Sequence, residues 1–260
     1  RLLPLSFAEY RGARAAFTDD ADDTELLNRY LSLGGMPYAS LLPAEDVPEY
    51  LDGVLNTVLV KDVATRHPRI SMPVLRALLA FLADNVGNRF SLKTVAGTLT
   101  ANGSKVSPTT VSEYLNALME CYLIFKANPY DAKGRRLLQQ GGKYYLGDLG
   151  FRHLLLGRDG SDLGHRVENV VYLELLRRYH SVRVGRVGDL EIDFVAEREG
   201  RPHYYQVALS VLDEATLRRE LRPLELLGDA YPKTLLTLDR IGATDHNGIE
   251  QRSLVDWLLK

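Results

Sequence analysis

The spacing of apolar residues changes from a helical to a strand pattern along the chain, and this change restricts the folds open to it. Up to residue 120, apolar side chains recur three or four positions apart, as at Leu75, Leu78 and Leu82, which is the spacing of one helix face. From residue 181 onward, short stretches rich in valine, isoleucine, phenylalanine and tyrosine predict strands. The sequence therefore predicts a mixed α+β chain of several domains, helical first and then α/β with a small mixed sheet.

The helical part divides into two predicted domains. Residues 1–65 form a helical segment. Residues 66–147 carry three helices, the second and third preceded by Ser91 and Ser107 as N-caps, and then two strands separated by a polar loop. Three helices followed by a hairpin with a basic tip predict a winged helix-turn-helix.

Residues 148–260 form the third predicted domain. Its elements are predicted as helices at 164–179 and 213–227, strands at 181–187, 191–196, 203–209 and 233–238, and a closing turn and helix at 249–259. A helix, a meander of three strands, then a helix and a strand predict a small three-layer α/β domain with a mixed sheet.

Positive charge is concentrated in the middle of the chain. Residues 61–145 carry 12 basic and 5 acidic residues, a net charge of +7, whereas residues 1–60 and 146–260 have net charges of −6 and −3. A basic segment between acidic flanks predicts a surface that faces phosphates, with duplex DNA as the partner; the alternative is a solvated face without a partner. The candidate nucleic-acid contacts are Lys93, Lys105, Thr109, Thr110, Ser112, Lys133, Arg135 and Arg136.

Three polar residues of the last domain form a candidate catalytic or metal site. Glu168 lies on its first helix, Asp193 on its second strand and Gln206 on the next strand. Carboxylates placed in this way assemble a Mg²⁺ site in nucleases of the PD-(D/E)xK type, with Glu168 and Asp193 as the candidate ligands. Ala208 occupies the position of the lysine that would stabilise developing charge, so cleavage is expected to be absent or very slow. The alternative is that Asp193 is an ordinary structural carboxylate.

Several kinds of chemistry are disfavoured by what the sequence lacks. Cys121 is the only cysteine, which excludes intramolecular disulfides and multi-cysteine metal sites and favours a reducing cytoplasm. No phosphate-binding loop of the G-x-x-x-x-G-K-[ST] kind occurs, so no cofactor is expected in these residues. No apolar run approaches the ~20 residues of a membrane span. The chain begins without methionine, as expected of a piece of a longer protein.

Seven short stretches taken together resemble a known family. They are LPLSFAEY at 3–10, GGMP at 34–37, LVKDV at 59–63, LADNVG at 82–87, YLGDLG at 145–150, EN at 168–169 and EIDFV at 191–195. In this order they resemble the C-terminal part of prokaryotic AAA-type ATPases that carry an uncharacterised C-terminal domain. The resemblance extends over essentially the whole chain.

The resemblance implies an architecture and a set of partners. In that family a P-loop ATPase core precedes a helical lid, a winged helix and a domain similar to the PD-(D/E)xK nuclease fold. It implies that this chain lacks the core, which would bind ATP and Mg²⁺, and that the core is one of its partners. Glu168, Asp193 and Gln206 match the nuclease-like positions, while Ala208 departs from the catalytic lysine.

Three functions remain open at this point. The first is a nucleic-acid-binding module of an ATPase with a degenerate nuclease-like domain. The second is a protein-interaction or regulatory module of the same ATPase, and the third is an active Mg²⁺-dependent nuclease. An oligomer is also open, and the residues present are expected not to be catalytic by themselves.

Overall fold

The computed structural model describes residues 2–15, 22–138, 141–157, 162–240 and 242–260. Both helices and strands occur in these residues, so the predicted mixed α+β class is confirmed. No helix within these ranges is at once long and apolar enough to cross a membrane.

Helices dominate the first half of the described residues and alternate with strands in the second. They are α1 (Phe7–Ala15), α2 (Asp23–Leu33), α3 (Val47–Thr57), α4 (Met72–Asp84), α5 (Leu92–Ala101), α6 (Pro108–Glu120), α7 (Leu149–Leu156), α8 (Leu163–Arg178), α9 (Glu214–Glu225) and α10 (Leu254–Leu258). A π-helical segment, Val58–Ala64, continues α3.

The strands form two sheets. They are β1 (Ile124–Ala127), β2 (Pro129–Asp131), β3 (Arg136–Leu137), β4 (Lys143–Leu146), β5 (Ser181–Val187), β6 (Leu190–Arg198), β7 (Arg201–Ala208), β8 (Lys233–Thr237), β9 (Thr244–His246) and β10 (Ile249–Ser253). β1 and β4 make a small antiparallel sheet, and the other eight strands make one mixed sheet in the order β3-β2-β5-β6-β7-β8-β10-β9.

The large sheet is covered by helices on both faces. Phe194 and Tyr205 belong to the main core, which includes α8, whereas Val195 and Tyr204 belong to a second core under α9. Neighbouring residues of a strand point to opposite faces, so α8 and α9 lie on opposite sides of β6 and β7. The predicted helices and the strand meander of this region are confirmed, while β9 and β10 are additions.

The helices α4, α5 and α6 pack against one another and against the small sheet. Two of these helices begin at serines, because the hydroxyls of Ser91 and Ser107 accept hydrogen bonds from the backbone N–H groups of Thr94 and Thr110. Arg89, between α4 and α5, forms an antiparallel bridge with Lys143 of β4. The chain order here is helix, bridge, helix, helix, strand, strand.

The polar loop predicted between the two strands of the small sheet contains strands of its own. β2 and β3 form a hairpin, and β2 pairs in parallel with β5 at the edge of the large sheet. Residues 139 and 140 of this loop lie outside the described residues. The chain therefore contributes strands to the large sheet before residue 147, which is the boundary expected between the second and third predicted domains.

Asp148 joins the N-terminal helices to α7. Its carboxylate accepts hydrogen bonds from the N–H of Gly35 (2.8 Å) and from the N–H of Gly150 (2.7 Å), the latter as the N-cap of α7. Burial raises the pKa of Asp148 to about 6, although the N–H groups of Gly35, Gly150 and Met36 oppose this shift. Two stretches of the resemblance, GGMP and YLGDLG, thus meet at this carboxylate.

Candidate functional site

The three predicted nuclease-like residues lie in one region of the fold. Glu168 is buried on α8, and Asp193 and Gln206 lie on the adjacent strands β6 and β7. The N–H of Asp193 donates to the Gln206 side-chain carbonyl (3.3 Å), and the N–H of Val207 donates to the Asp193 carboxylate (2.8 Å). These bonds fix both side chains against the sheet.

A lysine from the small sheet enters this region. The ammonium of Lys143 lies 2.9 Å from Glu168 Oε1 and 2.6 Å from Glu191 Oε1, and the Lys143 side chain is 8% exposed. Arg89 contacts the other oxygen of Glu191 at 2.6 Å. The segment between α4 and α5 and the small sheet therefore supply one cation each, and the large sheet and α8 supply the carboxylates. We call Arg89, Lys143, Glu168, Glu191 and Asp193 the carboxylate cluster.

Glu168 is enclosed on two sides. Tyr145, two residues after Lys143 and on the same strand face, donates its hydroxyl to Glu168 Oε1 at 2.6 Å. On the other side, a Cβ added at Gly87 would lie 3.3 Å from Glu168 Oε2. The LADNVG stretch of the resemblance thus packs against this carboxylate.

The charges of the cluster depend on one another. Burial opposes the charged form of Lys143, but Glu168, Asp193 and Glu191 together raise its pKa above the ordinary lysine value. Burial and the charge of Glu168 raise the pKa of Asp193 well above its usual range, against the opposing effects of Lys143 and the Val207 N–H. Glu168 and Asp193 are therefore electrostatic neighbours, and Lys143 is the cation that offsets both.

The arrangement favours an ion-pair cluster over an open metal site. The Gln206 amide donates to Glu220 at 2.9 Å, so it is committed to a neighbouring acid. Within the described ranges, no group of three or more His, Cys, Asp or Glu side chains has an arrangement that could hold a metal ion. Metal ligation by Glu168 and Asp193 stays a prediction.

Comparison with known proteins places the chain in a family. A family model described as a domain of unknown function, DUF8612, matches residues 24–162, more than half of the chain. The chain belongs to the DUF8612 family. The match runs from α2 to the residue before α8, so it includes Lys143 but not Glu168 or Asp193.

Relatives of this DUF8612 chain occur in bacteria and archaea. An uncharacterized protein of Haemophilus influenzae is 33% identical over 260 residues, covering 100% of this chain and 64% of the relative. Uncharacterized protein MJ1544 of Methanocaldococcus jannaschii is 27% identical, covering 86% of this chain and 52% of the relative. Uncharacterized protein Rv2008c of Mycobacterium tuberculosis is 29% identical, covering 67% and 41%. The chain thus spans less than two thirds of the length of each of these relatives.

The predicted nucleic-acid contacts of the DUF8612 chain differ in whether their side chains already have partners within the protein. Lys93, Lys105 and Lys133 are exposed, and their side chains make no hydrogen bond or ion pair with other described residues. Arg135 lies over the ring of Tyr231 at 5.0 Å, and Arg136 pairs with Asp131 at 3.4 Å.

The hydroxyl residues of α6 contribute less to an accessible surface. Thr109 is exposed, whereas Thr110 and Ser112 are half-buried. The Thr110 hydroxyl lies 2.9 Å from that of Ser107, so Thr110 is already engaged in the N-cap of α6.

Sequence reasoning missed the cations of the carboxylate cluster. Lys143 stands alone in a strand, far along the chain from Glu168, and no local pattern marks it. Glu191 was detectable, because it lies two residues before Asp193 in the same strand. Arg89 carried no signal beyond its place in the basic middle segment.

Proposed function

We propose that this chain is a nucleic-acid-binding module of a longer AAA-type ATPase, in which the nuclease-like domain is a platform that does not cleave. The observation that carries the proposal is the set of three exposed lysines, Lys93, Lys105 and Lys133, without partners among the described residues. Exposed cations that are not neutralised within the protein are available to phosphates.

The order of elements between α4 and β4 supports a winged helix. Two packed helices, α5 and α6, follow the Arg89 bridge and precede the two strands of the small sheet. In helix-turn-helix proteins the second helix of the pair enters the major groove, which is the place of α6. Lys93 and Lys105 flank this helix pair, at the start of α5 and in the turn before α6.

The association with an ATPase rests on the resemblance. The first relative extends well beyond the length matched by this chain, since 36% of it lies outside the match. A nucleotide-binding core in that part would supply the ATP and Mg²⁺ chemistry, and the core would be a partner of this chain.

Salt-dependent DNA binding tests the proposal. Changing Lys93, Lys105 and Lys133 to alanine together is expected to weaken duplex binding, because each lysine on a phosphate releases condensed cations. The slope of log affinity against log salt should fall by up to about 3 units. Fluorescence anisotropy with a labelled duplex between about 50 and 200 mM salt measures this slope.

A matched control variant distinguishes the effect of these three lysines from the effect of net charge alone. The variant with alanine at Arg198, Arg201 and Lys260 loses the same charge from exposed positions of the third domain and should keep the wild-type slope. Equal slopes in both triple variants and the wild type would contradict the proposed surface. No binding at all would favour the protein-interaction function instead.

That second function has its own support. Tyr38 and Val60 are 57% and 59% exposed, and they flank α3, where Tyr50 and Val54 line an open groove. Exposed apolar side chains grouped on one part of a surface are typical of protein contacts.

The proposed platform role predicts that Mg²⁺ or Mn²⁺ does not support cleavage. Lys143 already neutralises the acids that would hold a metal, and Ala208 provides no cation beside a phosphate. Loss of one such electrostatic group costs about 10²–10³ in rate. Incubation of plasmid and of short duplexes with either metal measures cleavage. Metal-dependent nicking that persists through purification and disappears in Asp193→Asn would establish the nuclease function.

A further inference from the structure

A cavity between α2, α7 and α8 is lined by several cations. Its volume is about 410 Å³, and Arg29, Arg152 and Arg166 all line it, with Ser32 and His153 between them. Its lining among the described residues includes no aspartate or glutamate. This volume is within the range of small-molecule sites, roughly 300–1,000 Å³.

The guanidinium of Arg166 has few hydrogen-bond partners among the described residues. Its Nε is buried and has no hydrogen-bond partner among the described residues. Its Nη1 makes one long hydrogen bond, 3.4 Å, to the neutral hydroxyl of Ser32. Arginine stays protonated in proteins and carries five N–H donors, so a positive charge and unused donors remain at the cavity.

The other two arginines donate mostly to neutral acceptors, so most of their positive charge is not offset. Arg152, which is 5% exposed, donates to the carbonyl of Ala83 and makes a 3.4 Å contact with Asp162. Arg29 donates to the Tyr10 hydroxyl and the Leu42 carbonyl. Only one carboxylate, that of Asp162, is therefore paired with the three guanidiniums within the described residues.

Arg152 and Arg166 interact unfavourably with each other. Burial and the charge of Arg152 lower the pKa of Arg166, and the carboxylate of Asp162 opposes this shift. The half-buried guanidinium of Arg166 keeps a buried Nε–H donor without an acceptor among the described residues, which is unfavourable, and an anion between the guanidiniums would supply acceptors. Tetrahedral oxyanions suit such a site because guanidinium N–H groups bind phosphate oxygens in pairs.

We propose that this cavity is a binding site for a phosphate-bearing small molecule, with Arg166, Arg152 and Ser32 contacting the phosphoryl group. The apolar side chains of Leu33 and Leu149 line the same cavity and would contact an organic part of the ligand. The site is independent of the proposed DNA surface and of the carboxylate cluster. It adds a small-molecule ligand to a chain with no phosphate-binding loop of its own.

Calorimetric titration and thermal unfolding with pyrophosphate and with AMP test the site. Either probe at about 100 times its Kd should raise the wild-type Tm by roughly 5–10 °C. Arg166→Gln should weaken binding at least ~10-fold, since it removes charge-assisted hydrogen bonds. Tighter binding of AMP than of pyrophosphate would indicate an organic phosphate, and the reverse an inorganic one; both support the site.

The stability of the ligand-free variant distinguishes a binding role from a structural one. Because Arg166 is poorly partnered, Arg166→Gln should have a Tm equal to or above that of the wild type without ligand. Arg218→Gln, an exposed change of equal charge on α9, should bind both probes as the wild type does. Failure of the wild type to bind either probe, or unchanged binding in Arg166→Gln, would overturn the proposal. DNA binding should be unaffected in all cases.

Discussion

Replacing Lys143 with methionine is expected to lower the free energy of unfolding by about 3–5 kcal/mol, the usual cost of removing one partner from a buried ion pair. Methionine keeps most of the volume of the lysine stem, so the effect comes from charge. Glu168 would keep the Tyr145 hydroxyl and Glu191 would keep Arg89, but the charges of Glu168 and Asp193 would lose their shared cation. Urea unfolding at neutral pH, followed by circular dichroism, measures the loss.

The pH dependence of this variant has a definite sign. Burial and the charge of Glu168 already raise the pKa of Asp193, and removing the Lys143 ammonium, which opposes this shift, raises it further in the folded state. A raised folded-state pKa stabilises the fold at low pH, and this contribution is lost as the pH rises through the folded pKa. The deficit of Lys143→Met relative to the wild type should therefore be smaller near pH 5 than near pH 7.

A double variant provides the matched control. Lys143→Met combined with Glu168→Gln removes the cation together with one of its acids, so it leaves less uncompensated charge than the single change. It should be more stable than Lys143→Met alone at neutral pH. A single variant as stable as the wild type, or a double variant less stable than the single, would show that the ion pair contributes nothing net.

Gly34→Ala is expected to cost about 4 kcal/mol or more, through strain and the loss of buried hydrogen bonds. Gly34 has φ +79°, a conformation that favours glycine. An added Cβ would also lie 1.8 Å from Asp148 Oδ1 and 2.6 Å from the Gly150 nitrogen. The Asp148 carboxylate would have to leave the N–H groups of Gly35 and Gly150. Thermal and urea unfolding measure the change.

Gly200→Ala separates backbone strain from the clash. Gly200 has φ +73°, close to that of Gly34, but no atom lies within 4 Å of its added Cβ. The cost there should be only about 1 kcal/mol, the usual penalty for alanine at a positive φ. Equal losses in the two variants would mean that the contact between Gly34 and Asp148 is unimportant.

Local patterns in the sequence predict most elements of this fold. The helix expected at 164–179 is observed as Leu163–Arg178, and the strand expected at 181–187 is observed at those residues. Both elements are long and rich in apolar residues. Residues Ile249–Ser253 were expected to form a turn but form the strand β10. This strand pairs with β8 across the intervening chain, and no local sequence pattern indicates such pairing.

The candidate site was predicted in part for the same reason. Glu168, Asp193 and Gln206 could be found because they lie near one another in sequence, on α8, β6 and β7 of the third predicted domain. Lys143 comes from a different sheet, and its position depends on how the small sheet packs against α8. In the nuclease-like interpretation Ala208 replaces the expected lysine, and the folded chain places another lysine, Lys143, beside Glu168 and Glu191.

The hairpin of β2 and β3 has a consequence for how this chain can be inherited. It forms the edge of the large sheet, yet in sequence it lies between the two strands of the small sheet. No single break in the gene can separate the small sheet and its helices from the large sheet without dividing one of the two sheets. Recombination between relatives would then exchange both parts together or yield chains with an unpaired β5 edge. The two halves should therefore share one evolutionary history even if their surfaces serve different partners.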